Sequence, residues 1–522
     1  MMSFAPEPAP PRHICLILEG DDPFASGGVS TWLRQMTEAM PDLEFSIHCI
    51  RGPAIRPAES TSRLTPNVIS VTTSSLRDCH DPLQSKAGRG SRSQKAEFLH
   101  IVRAFLHAPD MPARLDTLCR AATALHDQPG MVTLADLLEG KASRQLLAEH
   151  YQVWDRQNNF RRSHSTVHEF VTMLWTLLRT ATTLPGADVY HGMSSGYAGF
   201  LGALASRLHH APLLLSVHGA DLTERIEGIR RSARLAPPPG LTAPFAGNLG
   251  PCKSLWIGFF ELLGRLACTR AERVTAPCQS QARVLIELGA PPQHVTVIPN
   301  GIDAMRFASI ARKKLQEQPA YERRITVGFL GRLVPVKDIK TLLRAARLVL
   351  KAHPETRFLL AGPHDADPEY FAECRALAER TGISQSVEFP GPMSSDAFLR
   401  RCDIVTLTSI DEGMPFAILE ASAAGLPVVA PDVGACRKVI VAQLPGHPTL
   451  GPSGFITEVA SPVSTANALK QLVASADLRF EQGMNGLRRV QSAYRQEFIV
   501  DRYHKLYHAL AASPAALGPA GT

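Results

Sequence analysis

Short apolar runs that each deliver the chain into a tight loop and then a helical pattern recur through both halves of this sequence. The first is HICLILE, residues 13–19, which passes through Gly20-Asp21-Asp22-Pro23 and Ser26-Gly27-Gly28-Val29-Ser30 into a helical pattern at Trp32, Leu33 and Met36. Continuous apolar runs of this kind are the pattern of strands buried on both faces, and parallel strands need crossover helices between them. The rhythm therefore predicts an α/β chain with doubly wound parallel sheets. Strands are expected at 45–50, 188–191, 212–218, 274–276 and 295–298 in the first half, with a helix at 198–208. The second half repeats the pattern with strands at 325–330, 357–361, 386–389, 403–408 and 427–430, and helices at 339–351, 368–381 and 415–424.

Residues 51–180 break the rhythm. Polar loops such as 85–95 alternate there with amphipathic stretches at 97–106, 113–125, 133–149 and 167–180, which read as a helical insertion. The expected organisation is a disordered Pro-rich tail at 1–12, a first domain at 13–305 carrying the insertion, and a Lys/Gln/Glu-rich linker at 306–322. A second domain follows at 323–490, and a C-terminal helix at 491–512 packs back on the first. Two similar halves predict a central cleft in which a ligand meets the carboxyl ends of the strands.

Composition narrows the function. At 522 residues, with 45% hydrophobic residues, the chain has ample material for two packed cores. The net charge of +7 is spread along the chain without a basic stripe interleaved with aromatics, so nucleic acid is not expected as a partner. The ten cysteines form no C-x-x-C pair and no metal spacing with histidine, the usage of a reduced compartment. The start, MMSFAPEPAPPRH, lacks the apolar stretch of a secretory signal, and no apolar window approaches the ~20 residues of a membrane span. A cytoplasmic protein is expected, with membrane association only through a partner or surface contact.

Two motifs in the second half carry most of the chemistry. Glu412-Gly413-Met414-Pro415-Phe416 follows the strand DIVTLT and opens a helix that contains Glu420. Gly413 allows close backbone approach, and the first-turn N–H groups with the helix dipole suit a diphosphate. Pro415 suits that first turn because its missing N–H costs little there. Glu420 is placed to accept from ribose hydroxyls, and Glu412 to hold a sugar hydroxyl; the competing reading is two solvent-facing glutamates flanking a short helix. In Gly331-Arg332-Leu333-Val334-Pro335-Val336-Lys337-Asp338, Arg332 offers a planar fork to phosphate and Lys337 a mobile point charge. A leaving diphosphate needs such charge where no metal supplies it; the competing reading is a pair of surface cations.

The first half contributes Gly27 and Gly28, which let the chain pass close to a reacting centre, and His218 at the end of LLLSVH. His191, at the end of DVYH, competes with His218 for that role. Asp365-Ala366-Asp367 has the form of a metal-binding D-x-D, but helix capping by Asp367 explains it better, so no metal site is assigned. Phe259, Phe260 and Trp256 read as core.

Together these residues resemble glycosyltransferase family 4, the retaining transferases of GT-B fold: Glu412 and Glu420 in E-x7-E, Arg332 and Lys337 in G-R-x-x-x-x-K, and Pro299–Asp303 in P-N-G-I-D. The likeness extends to the branch of the cytoplasmic glycosyltransferase of Pel exopolysaccharide synthesis. Its motifs are matched from Glu19 to Trp32, from Tyr190 to Gly199, at 331–341, at 408–421 and at 433–437. One departure lies around His218, where Val217 and Asp221 replace a Glu and a Tyr of the branch. The resemblance implies two Rossmann-like domains and transfer of a hexose or N-acetylhexosamine from a UDP-sugar to a growing polysaccharide. It implies no cofactor and no metal, and partners in an inner-membrane synthesis and transport complex. It gives Arg332 and Lys337 the diphosphate, Glu420 the ribose, and Glu412 with the Gly413–Phe416 backbone (Met414 and Pro415 between them) the sugar and phosphates. His218 falls to the anomeric centre, Gly27 and Gly28 to the opposite wall, and the loop at Met393 to the base. Open alternatives are a transferase for another surface glycan and a non-catalytic sugar-nucleotide-binding subunit.

Overall fold

The computed structural model describes residues 12–20, 28–51, 65–76, 90–128, 130–141, 143–146, 160–217, 221–231, 251–316, 324–365, 367–444, 446 and 450–512. The chain divides into two compact units. The first comprises Met1–Ala276, Ala282–Thr296 and Tyr503–Thr522; the second comprises Pro277–Gln281 and Val297–Arg502.

The first unit holds a seven-stranded sheet in the order β3-β2-β1-β4-β5-β6-β7. Its strands are β1 (His13–Glu19), β2 (Glu44–Arg51), β3 (Val68–Ser75), β4 (Val189–Gly192), β5 (Leu213–Ser216), β6 (Arg273–Ala276) and β7 (Val295–Val297). The pairings from β3 through β6 are parallel. β1 buries Ile14, Cys15, Leu16 and Ile17 completely, as a strand covered on both faces must.

The second unit holds a six-stranded sheet in the order β10-β9-β8-β11-β12-β13. Its strands are β8 (Thr326–Leu330), β9 (Arg357–Ala361), β10 (Val387–Gly391), β11 (Ile404–Thr406), β12 (Val428–Pro431) and β13 (Gly454–Thr457), all parallel. The helix Ile339–Ala352 buries Ile339, Leu342, Leu343, Ala346 and Val349, one apolar stripe at helical spacing. In both sheets the strand order reverses once, between β1 and β4 and between β8 and β11. Each sheet therefore has a switch point where the loops leaving the strand ends diverge and open a crevice. The fold is α/β with two Rossmann-like sheets, the GT-B pattern.

Three sequence expectations need correction. Residues 68–75 are strand, not part of a helical insertion. VISVTTSS lacks an apolar run because only Val68 is buried, yet β-branched residues suit an edge strand, and Thr72 and Ser74 bond the ring of His48 on β2. Residues 308–316, expected as linker, form the helix Ala308–Gln316. Phe307 and Ile310 lie in the second unit's core, apolar anchors hidden among Lys and Gln. The helix expected over 133–149 is broken at Gly140: Leu134–Glu139 is one helix, and residues 141 and 143–146 are helical again beyond the break. Other helices of this region are Arg92–Leu106, Met111–Asp127 and Phe160–Ala181, the first two capped by Ser91 and Asp110.

The last helix, Gln496–Ala512, begins among residues of the second unit and continues among residues of the first. Tyr507 Oη lies 2.7 Å from His191 Nδ1, His191 Nε2 lies 2.6 Å from Ser216 Oγ, and Ser216 Oγ lies 2.6 Å from Thr275 Oγ1. Tyr503 joins through Thr275 and meets Trp32 edge-on at 5.1 Å between centroids. His191 is wholly buried in this network, where it holds together β4, β5, β6 and the last helix. Among the described residues no helix is long and apolar enough to cross a membrane.

Candidate active site

The second unit's switch point is stitched by its own loops. The loop after β11 returns to the loop after β8 through Ile410 N–H to Val336 O, 2.8 Å, and through Thr408 Oγ1, which donates at 3.1 and 3.0 Å to the carbonyls of Lys337 and Asp338. Asp338 takes a left-handed backbone (φ 44°) and caps the helix Ile339–Ala352 by accepting from Thr341 N–H. This sharp turn, costly for a residue with a Cβ, sets Lys337 at the mouth of the crevice.

Lys337 Nζ donates to Glu412 Oε1 at 2.5 Å across the switch point, and Ser409 Oγ donates to the same oxygen at 2.6 Å. Both side chains are mostly buried, 19% and 11% exposed, so solvent screens the pair only partly. Both bonds fall on Oε1, and among the described residues Glu412 Oε2 has no partner. The structure thus joins two residues that the sequence offered in separate roles.

Beyond Glu412 the chain turns through Gly413, Met414 and Pro415 into the helix Phe416–Ala423. Pro415 is its N-cap residue, one position before the first helical residue, and no side chain caps the helix. The first-turn amides of Phe416 and Ala417 therefore face the loop without an internal acceptor, an anion-binding arrangement. The turn is held from two sides. Asn300 donates its side-chain N–H to Met414 O at 2.8 Å, and Ala435 N–H donates to Gly413 O at 2.8 Å. The P-N-G-I-D element thus acts as a brace, with Asp303 accepting from the amides of Met305 and Arg306.

Glu420, one turn further along, is 6% exposed and accepts from Ser395 Oγ at 2.9 Å. Burial pushes its carboxyl above the ordinary range; the Ser395 bond and the nearby Arg306 oppose this, and Asp396 reinforces it. Arg306 is itself bound to Asp396 at 2.5 Å. Ser395 follows β10 by four residues, so Glu420 faces the loop that carries Met393, which packs partly buried against the second core. Arg332 is exposed in the loop after β8.

In the first unit, Gly28 starts the helix Gly28–Ala39, while Gly27 and His218 lie outside the described residues. A charged cluster that the sequence left without a role sits at this sheet's switch point. Glu19, at the end of β1, accepts from Ser194 Oγ, from Ala198 N–H at 3.1 Å and from Arg225 Nη2 at 2.5 Å. Arg225 also lies over the rings of Tyr197 and Phe260, 5.1 and 4.5 Å from their centroids. Phe259, Phe260 and Trp256 form a packed aromatic cluster with Phe170. Asp367 caps the helix Pro368–Arg380 by accepting from Tyr370 N–H at 3.0 Å. The signal that could have revealed the first cluster was Glu19 at the end of β1 and Arg225 in the helix Asp221–Arg231 that follows β5.

Comparison with known proteins bears on both units. Residues 311–489 match the family described as glycosyl transferases group 1. A D-inositol 3-phosphate glycosyltransferase of Geodermatophilus obscurus is 29% identical over 259 residues, 47% of this chain and 54% of that protein. One from Salinispora tropica is 28% identical over 317 residues, 57% of this chain and 60% of its own. The chain thus spans little more than half the length of the curated relatives it matches. Among solved structures, HepE of Anabaena in complex with UDP and glucose aligns with a TM-score of 0.58 at 16% identity, covering 95% of this chain and all of that one. Sucrose-phosphate synthase of Thermosynechococcus elongatus aligns with a TM-score of 0.59 at 17% identity, covering 96% of this chain and all of that one. These likenesses establish the GT-B fold. Residues 12–293, more than half of the chain, match the family described as domain of unknown function (DUF3492), so the chain belongs to that family, and the match to group 1 glycosyl transferases falls within its second unit.

Proposed function

We propose that the chain is a retaining glycosyltransferase that moves a hexose or N-acetylhexosamine from a UDP-sugar to a growing polysaccharide. The observation that carries this reading is the Lys337–Glu412 pair beside the uncapped start of the helix Phe416–Ala423, both at the switch point of a group 1 glycosyltransferase domain. A diphosphate suits the first-turn amides, and Arg332 with Lys337 offsets the charge that grows on it as the bond to the sugar C1 breaks. Glu412 Oε2 serves a sugar hydroxyl, and Glu420 serves the ribose. The family resemblance assigns His218 to the anomeric centre, Gly27 and Gly28 to the opposite wall and Met393 to the base; His218 and Gly27 fall outside the described residues. The acceptor oxygen bonds C1 on the face that the diphosphate leaves, and its proton passes to the departing phosphate, so configuration is retained. The UDP bound in the Anabaena relative supports the choice of base.

The finer reading is Pel-type exopolysaccharide synthesis in the cytoplasm, with the chain held at the inner membrane by protein partners. It rests on the run of branch motifs between Glu19 and Arg437. Calorimetric titration with UDP, GDP and ADP tests the site: UDP binds at least ten times tighter than the others, and Lys337→Ala lowers kcat/KM for the UDP-sugar by roughly 100-fold, about 2.7 kcal/mol of transition-state stabilisation. Equal weak binding of all three nucleotides, or an active Lys337→Ala variant, overturns it. No metal takes part in the transfer, so initial rates with EDTA equal those with Mg2+; strict dependence on a divalent ion would return Asp365 and Asp367 to consideration. Loss of exopolysaccharide on gene deletion, restored by the wild type and not by Lys337→Ala, tests the Pel assignment.

A further inference from the structure

We propose that Asp42, His504 and His508 form a divalent-metal site, of zinc type, that fastens the last helix to the first unit. His504 and His508 stand four residues apart on the helix Gln496–Ala512, so both rings leave the same face one turn apart. Asp42 comes from the turn just before β2 and meets that face. One ligand atom from each of the three lies within 4.8 Å of the others. A tetrahedral zinc with bonds of about 2.0–2.1 Å sets its ligand atoms roughly 3.4 Å apart, a closure that small side-chain rotations supply. Asp42 Oδ2 is already 2.8 Å from His504 Nε2. The two rings lie 4.4 Å apart between centroids, and His508 Nε2 is buried with no hydrogen-bond partner. A buried ring nitrogen without a partner beside a histidine and a carboxylate is the kind of orphan that a bound ion explains.

Two imidazoles and one carboxylate match the donor preference of zinc, and three protein ligands leave one position for water. Asp42 precedes β2 and so stands at the amino ends of the strands, whereas Glu19 and Arg225 gather at the carboxyl ends. The site therefore holds structure and takes no part in transfer. It pins the chain just after Tyr503, where the sequence re-enters the first unit.

The test uses the full-length protein stripped with EDTA and titrated with Co2+ and then Zn2+. One saturable site is expected, with the visible absorption of tetrahedral Co2+, displaced by Zn2+. Zinc raises the unfolding midpoint of the wild type. H508Q and H504Q abolish the Co2+ band, and D42N weakens zinc binding at least tenfold, in line with the loss of one ligand of three. Asp42 is exposed, so D42N keeps its fold in EDTA and remains informative if a histidine variant does not. Absence of a saturable site, or unchanged binding in D42N, overturns the proposal; the other histidines of the chain then account for any metal taken up.

Discussion

At Glu420 the proposed binding role and the cost of burying a carboxylate pull in opposite directions. Its carboxylate is buried, its pKa is raised, and among the described residues its hydrogen-bond donor is one hydroxyl, from Ser395. A carboxyl with a raised folded pKa binds its proton more tightly in the native state than in the unfolded chain. Its contribution is therefore favourable at low pH and is lost as pH rises through the folded value. Ionising this buried carboxyl costs the folded chain free energy. Glu420→Gln should remove that cost: the unfolding midpoint of the second unit at pH 7.5 should rise by about 2–4 °C for ~1 kcal/mol gained, and the gain should shrink as pH falls through the raised folded value toward the ordinary carboxyl range. The same variant should bind UDP several-fold more weakly if the ribose is its partner. A midpoint that falls at every pH would mean that the carboxylate is better solvated than its burial implies. At this scale the sequence was partly legible. It named Lys337, Glu412 and Glu420 by residue type and place after apolar strands, but not the Lys337–Glu412 bond or the role of Ser395. Those depend on which loops meet across a sheet, and chain order does not encode that locally.

Among elements, the loop of residues 412–415 is only as well placed as the neighbours that brace it. Gly434 in the loop after β12 has φ 52°, and a Cβ there would come within 2.1 Å of Glu412 O and 2.3 Å of Gly413 O. Neither oxygen can yield, because both belong to backbone, so a side chain must push the loop away from the strand end. Gly434→Ala should destabilise the second unit by roughly 1–3 kcal/mol through strain and displaced contacts, and should raise the donor KM more than a surface substitution of equal stability cost. Urea unfolding followed by donor saturation kinetics measures both; unchanged kinetics would show that the loop is not braced from this side. Elements were legible where an apolar run announced them. β8, β9 and β12 fall within a residue or so of their expected limits, because buried parallel strands leave a continuous signal. β3 was hidden because an edge strand needs no apolar run, and the helix Ala308–Gln316 because Phe307 and Ile310 were outnumbered by charged neighbours.

For the whole molecule, the chain's return is the feature with the largest consequence. After building the second unit the backbone re-enters the first at Tyr503, and two tyrosines from that last helix complete its interior. Tyr507 is bonded to His191, which burial confines among Ser216, Trp32 and Tyr503, so removing the helix strands a buried ring as well as opening a cavity. Losing a large buried aromatic costs about 3–5 kcal/mol, and an unpaired buried donor or acceptor about 1–3 kcal/mol more. That is a large share of the ~5–15 kcal/mol that holds a domain. A chain ended after Arg502 should therefore show two calorimetric transitions, with the first unit melting well below its wild-type temperature and the second close to its own. Tyr507→Phe, which keeps the ring and removes only the hydroxyl, should lower the first transition by a few degrees. If the proposed site in the loops of residues 331–337 and 412–420 holds UDP, the nucleotide should still raise the second transition in the truncated chain, since a ligand stabilises the unit that binds it. A single unshifted transition in the truncated protein would mean that the last helix is an ornament on the first unit and not part of its core.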